Sequence, residues 1–191
     1  MITTSKAGYD HGPMGHRHTR DEILAGALAT AHADGLSRLT YGRVAKRLGI
    51  NDRTVVYYFP TTDDLATEVV LAMGAQLQDT LAPAFASPAA DHHELVRAAW
   101  PILAHPDADP VFAVFFEANG LALSGREPYR TLVPQLVQGW IDWVAGFVGG
   151  APEHRRAEAE AASAVRDGLL LLRQLAGTDA AERAARRLGI D

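Results

Sequence analysis

Apolar residues first recur at helical spacing at Ile23, Leu24, Ala27, Leu28 and Ala31, which make one stripe of a helix. Thr19-Arg-Asp-Glu22 precedes them as a capping box, threonine at the cap and glutamate three residues on. Gly35 supplies the stop. From Leu39 to Leu65 the pattern shortens. Thr40 is a cap, Val44, Ala45 and Leu48 share a face, and Gly49 gives the turn, where a residue without Cβ takes positive φ. Ile50 points to the core, Asn51 caps again, and Asp52 to Tyr58 predicts a second short helix. It ends at Phe59-Pro60, because the residue before proline leaves the α region. Helix, glycine turn, helix is the plan of a helix-turn-helix, whose second helix enters the DNA major groove. The helix of residues 20–34 would cover its back, since two short helices alone bury too little surface.

Thr61-Thr-Asp-Asp64 starts another helix, with Leu65, Val69, Ala72, Met73 and Leu77 as its apolar stripe to about Leu81. Pro83 and the stretch Pro88 to His92 mark a boundary. Beyond it every pattern is helical. His92 to His105 carries a stripe that Pro101 should kink or interrupt. Asp109-Pro110 reads as a cap followed by proline at the first helical position. Val111 to Leu123 is apolar nearly all round, as a buried central helix is. Pro128 to Val148 follows with Pro134 inside it, then Gly149-Gly150. Ala151-Pro152 opens a long helix to about Ala176. Gly177 ends it, Thr178 caps a last short helix, and Gly189 stops the chain's final turn. No strand alternation and no internal repeat is visible. The expected fold is all-α, with about nine or ten helices. It divides into a tail at 1–18, expected to be disordered, a DNA-binding domain at 19–64 and a helical body at 65–191.

Composition narrows the function. Of 191 residues 48% are hydrophobic and 21% charged, as in ordinary globular chains. No run approaches the roughly 18 apolar residues of a membrane span. The first residues lack a signal-peptide pattern, so a cytoplasmic protein is expected. With no cysteine there are no disulfides, thiolate metal sites or cysteine nucleophiles. The net charge of −5 argues against DNA until it is located. Residues 1–60 hold eight Lys/Arg against five Asp/Glu, and residues 61–191 ten against eighteen. A basic end on an acidic body suits a protein that meets phosphates with one end. His11, His16 and His18 lie in a solvated tail with no cysteine to complete a ligand set, so no metal site and no cofactor is expected.

Thr40, Val44-Ala45, Leu48-Gly49-Ile50, Thr54-Val55, Tyr57-Tyr58-Phe59 and Leu65 resemble the DNA-binding region of the TetR (tetracycline-repressor-like) transcriptional regulators. The sequence departs from that pattern at Val56, where a phosphate-contacting tyrosine is usual, at Arg53 in place of glycine and at Thr62 in place of lysine. On the recognition helix Asp52, Arg53, Thr54 and Tyr57 are the expected base contacts. Arginine bonds guanine bidentately and aspartate accepts from cytosine. Asn51 and Tyr58 join them at its ends. Arg17 and Arg20, just before the first helix, and Arg43, Lys46 and Arg47 beside the turn are expected near phosphates. Thr40, Tyr41 and Thr62 sit at helix starts, where backbone N–H groups attract phosphate.

The body concentrates Trp100, Phe112, Phe116, Trp140, Trp143 and Phe147, with Glu117 and Asn119 as polar residues on an apolar helix. A few polar groups in an aromatic space suit a small hydrophobic or aromatic effector. The resemblance strengthens that expectation, since such regulators bind inducers in the body. It also implies a homodimer built on the last two helices, here assigned to Arg166, Leu169, Leu170 and Arg173. A two-fold dimer uses one recognition helix twice on a palindrome-like double-stranded DNA operator. The reading is therefore a repressor released from its operator by an effector. Two other classes share these features: an all-helical enzyme or carrier using the aromatic cavity, and an architectural DNA-binding protein without a ligand. No catalytic Ser/His/Asp, paired-carboxylate or HExxH arrangement is recognisable.

Overall fold

The structure is a computed structural model that describes residues 18–190. The tail of residues 1–17, with His11, His16 and Arg17, lies outside the described residues. Nine α-helices are found among those described, and no strand; Ala89 and Val148 alone make an isolated parallel bridge.

Helices α1 (Arg20–Asp34), α2 (Tyr41–Leu48) and α3 (Asp52–Tyr58) form the amino-terminal head. Thr19 and Glu22 close the capping box at α1, Thr40 accepts from the Arg43 N–H at α2, and Asn51 accepts from the Arg53 N–H at α3. Gly49 takes φ +67° between α2 and α3, the left-handed conformation that lets them meet at a sharp angle. Val44, Val55 and Phe59 are enclosed against Ile23, Ala27 and Ala31 of α1.

Helix α4 (Thr62–Leu81) is capped by Thr61, with Asp64 completing the box. At 20 residues it is about 30 Å long. Its first half, Leu65 to Met73, packs in the head's core, which Val114, Ala118, Tyr129 and Val133 of the body complete. Its end, Leu81, belongs to a second core, built with α5 (His92–Leu103), α6 (Asp109–Leu123), α7 (Tyr129–Ala145), α8 (Pro152–Ala176) and α9 (Thr178–Arg187). One rod thus enters both cores, and the head shares apolar packing with the body beyond the boundary expected at residue 64.

Several local expectations change. Helix α5 runs through Pro101 and α7 through Pro134 without a break. Asp109 is not a cap: its carboxylate takes Arg173 bidentately at 2.6 and 3.1 Å. Thr178 is the first residue of α9, not its cap, and makes no capping bond.

Candidate functional site

Helix α3 offers one exposed face. Asn51, Asp52, Arg53 and Tyr57 are all exposed, and Tyr57 is 79% so. Its inner face is Val55 and, just past its end, Phe59. Arg53 has no protein partner among the described residues, nor has Lys46 on α2, so both guanidinium and ammonium are available to a ligand. Thr54 is half-buried. Thr62 is exposed at the start of α4, and Arg43 on α2 pairs with Asp34 at 2.7 Å.

The structure gives other expected phosphate contacts different work. Tyr41 packs on the head's core and its hydroxyl is enclosed without a partner. Tyr58 donates through its hydroxyl to the His18 carbonyl at 3.0 Å and so ties down the chain before α1. Arg20 pairs with Glu68 at 2.9 Å and lies over the Phe59 ring, joining α1 to α4. Arg47 donates to the Thr30 hydroxyl at 3.0 Å. For Tyr58, Arg20 and Arg47 the polar atoms have partners within the head, which residue type alone does not reveal.

The body encloses a cavity of about 320 Å³ between α4, α6, α7 and α8. Of the residues expected there, Phe112, Asn119 and Trp140 line it. Trp100, Phe116, Trp143 and Phe147 do not. Trp100 is 7% exposed in the second core. Trp143 and Phe147 close on Phe85 at the far end of the body, with ring centroids 5.8 and 4.8 Å from it. Phe116 sets its ring edge-on to Phe115, at 5.2 Å, and packs in the same core. Phe116 and Trp143 share helices with the lining but not its face, whereas Trp100 is on α5 and Phe147 lies past the end of α7.

Glu117 is corrected most sharply. It leaves the cavity to its neighbours Ala118 and Asn119 and reaches the head instead. Its carboxylate accepts from the Leu36 N–H at 2.7 Å, the Ser37 N–H at 2.8 Å and the Ser37 hydroxyl at 2.6 Å. Leu36–Arg38 is a 3-10 turn, and its free N–H groups attract a carboxylate as any helix start does. Gly35 makes the approach possible. It holds φ +84°, and a Cβ there would stand 2.7 Å from the Glu117 carboxylate. Burial pushes the Glu117 carboxyl up, but the bonds from Ser37 and Leu36 and the charge of Arg126 together hold it below the ordinary 4.5. The body therefore grips the head through this carboxylate as well as through the apolar core they share.

Arg166, Leu169, Leu170 and Arg173, expected between subunits, all face inward. Leu169 and Leu170 are 3% and 1% exposed. Arg173 is buried on Asp109, and Arg166 lies over the Trp140 ring at 4.6 Å and lines the cavity. The run of four leucines straddles two faces, and the outward one carries Leu171, Leu172 and Leu175 at 41%, 36% and 78% exposure. Exposed Ala164 and Gly168 extend that face by whole turns. No helix among the described residues is long and apolar enough to cross a membrane.

Residues 23–69, from α1 into α4, match the model of the bacterial regulatory proteins of the tetR family. No curated protein matches the chain. Among solved structures it is similar to a transcriptional regulator from Rhodococcus, 19% identical over 91% of this chain and 94% of that one, with a TM-score of 0.71. It is similar to the multidrug binding protein EbrR complexed with proflavin, 24% identical over 91% and 98%, with a TM-score of 0.66. A protein from Saccharomonospora viridis in complex with choline is 18% identical over 88% and 94%, with a TM-score of 0.68. At these identities the likeness is one of fold.

Proposed function

We propose that this chain, whose residues 23–69 match the tetR-family model, is a repressor of that family freed from a palindrome-like operator by a small apolar effector. It acts as a homodimer, it binds the effector in the cavity of the body, and it carries out no catalysis. The observation that carries the reading is the place of α6. Glu117 grips the head while Phe112, Phe115, Ala118 and Asn119 of the same helix wall the cavity. The second wall is α4, whose first half lies in the head's core. An effector that displaces α6 or α4 cannot leave the head where it was.

The mechanism is a shift in the distance between two recognition helices. Two-fold dimers of this kind place them one DNA turn apart, about 34–36 Å. The effector must favour a spacing that misses successive grooves; equal affinity for both states would shift nothing. The outward stripe of α8, Leu171, Leu172 and Leu175, supports pairing between subunits, with the two-fold axis across that helix. The exposed face of α3 and the unpartnered Arg53 support major-groove recognition.

A gel shift on the DNA upstream of the protein's own gene, with and without a panel of apolar compounds, tests the reading. Retarded DNA that one class of compound releases is the expected result. Failure to retard any genomic fragment would sink it.

Glu117→Ala removes the grip without touching the cavity wall. It should cost about 1–2 kcal/mol of stability, the low half of the range for stranded donors, because water reaches Ser37. Effector binding should persist in calorimetry, while effector no longer releases DNA. The carboxyl is held down in the folded state, so its stabilising contribution is present above pH 4.5 and lost as pH falls through its lower folded value. The cost of the substitution should accordingly be level from neutral pH down to about 5 and shrink only below it. A variant still released normally by effector would place the coupling elsewhere.

A further inference from the structure

Trp140, Ser163 and Arg166 meet at one corner of the cavity. Ser163 and Arg166 lie three residues apart, on one face of α8. The Arg166 guanidinium lies over the Trp140 ring. The Trp140 Nε1 and the Ser163 Oγ are enclosed, and neither has a hydrogen-bond partner. The Arg166 side chain is 11% exposed. Its Nε and Nη2 both turn to one oxygen of Asp167, at 2.8 and 2.7 Å, which leaves Nη1 with no acceptor among the described residues. Enclosed donors without partners are costly, and indole and guanidinium nitrogens can only donate.

We propose that this corner receives the carboxylate of an apolar acid, whose tail fills the rest of the cavity; the inference rests on the effector reading above. A carboxylate has lone pairs enough for an indole N–H, a hydroxyl and a guanidinium edge at once. It also offsets a charge that burial disfavours. Burial pulls the Arg166 guanidinium below its ordinary value even against the attraction of Asp167. Asp167 is the one acid at the cavity. Its side chain is 36% exposed at the lip, and its charge is already engaged by Arg166. The amides of Gln78 and Asn119 also face the space and can serve either role. The tail has room. Met73, Leu77 and Val111 wall both this cavity and a neighbouring groove of about 490 Å³.

Calorimetry of the full chain with octanoate, 1-octanol and octylamine compares three heads on one tail. Octanoate should bind about tenfold more tightly than octanol, the value of one charge-assisted hydrogen bond. Octylamine should bind no better than octanol. Trp140→Phe and Ser163→Ala, each checked for unchanged helicity, should weaken octanoate several-fold and weaken it more than octanol, so that the preference for the acid shrinks. Equal affinity for the three heads, or a preference for the amine, overturns carboxylate selection and leaves effector binding standing. Undiminished octanoate binding in both variants overturns the placement of the head. If none of the three binds, the inference is overturned, and release of DNA by other compounds in the gel shift then decides the effector reading separately.

Discussion

Leu171→Glu combined with Leu175→Glu should turn the protein into a monomer that folds but no longer holds its operator. Both side chains are exposed in the single subunit, at 41% and 78%, so the fold itself loses little. In a two-fold interface each leucine is used twice. Fully burying an exposed leucine is worth about 1.5–3 kcal/mol, so at their 41% and 78% exposure the two positions, each used twice, contribute about 3.5–7 kcal/mol in the dimer. That is a large share of the roughly 8 kcal/mol that holds a micromolar dimer, before any cost of burying four carboxylates. Sedimentation velocity should show one slow species where the wild type shows a larger one. Helical circular dichroism should be unchanged, and retardation of operator DNA should disappear. Leu169→Glu is the contrasting control: that side chain is 3% exposed, inside the subunit, so the substitution should unfold the protein. A doubly substituted protein that still sediments as a dimer would move the interface off α8.

That contrast also marks how far the amino-acid pattern reaches. Caps and breakers act within a few residues, so Thr19, Thr40, Asn51 and Thr61 place four helix starts correctly, and Gly49 places the turn. The exposed face of α3 follows from a short amphipathic helix with Val55 as its inward anchor. The four leucines of α8 were harder. Consecutive apolar residues carry no phase, so 169 and 170 could not be told from 171 and 172 until the rest of the inward stripe, Ala159, Ala162 and Arg173, was in place. An arginine in such a stripe reads as surface by type. Here Asp109, 64 residues earlier, turns it inward. Glu117 is the same lesson at greater range. A lone acid on an apolar helix suggests a pocket, and its true partners are backbone N–H groups about 80 residues away, which no side-chain code announces. The one local signal was Gly35 ahead of Leu36-Ser37, a glycine turn that leaves N–H groups unclaimed. Aromatic residues gave the weakest guidance, since rings on the cavity and rings in the core share the same helices.

Arg53→Ala should abolish discrimination for one base pair in each half-site while leaving stability within about 0.5 kcal/mol of wild type. The side chain is exposed on α3 and has no protein partner to strand. A bidentate contact from arginine to guanine is worth about 1–3 kcal/mol. A dimer makes it twice, so affinity for the operator should fall by about 30-fold to 10⁴-fold at fixed salt. Lys46→Ala supplies the comparison, because an unpartnered ammonium beside the groove helix meets phosphate. Its loss should weaken specific and non-specific DNA alike and reduce the salt slope by about one for each subunit. The two substitutions therefore separate in competition experiments. Arg53→Ala narrows the gap between operator and random duplex at every salt concentration, and Lys46→Ala lowers both lines together. Should Arg53→Ala also lower both lines equally, the guanidinium binds phosphate. Base recognition would then pass to Asp52 and Tyr57, the other exposed polar side chains of α3.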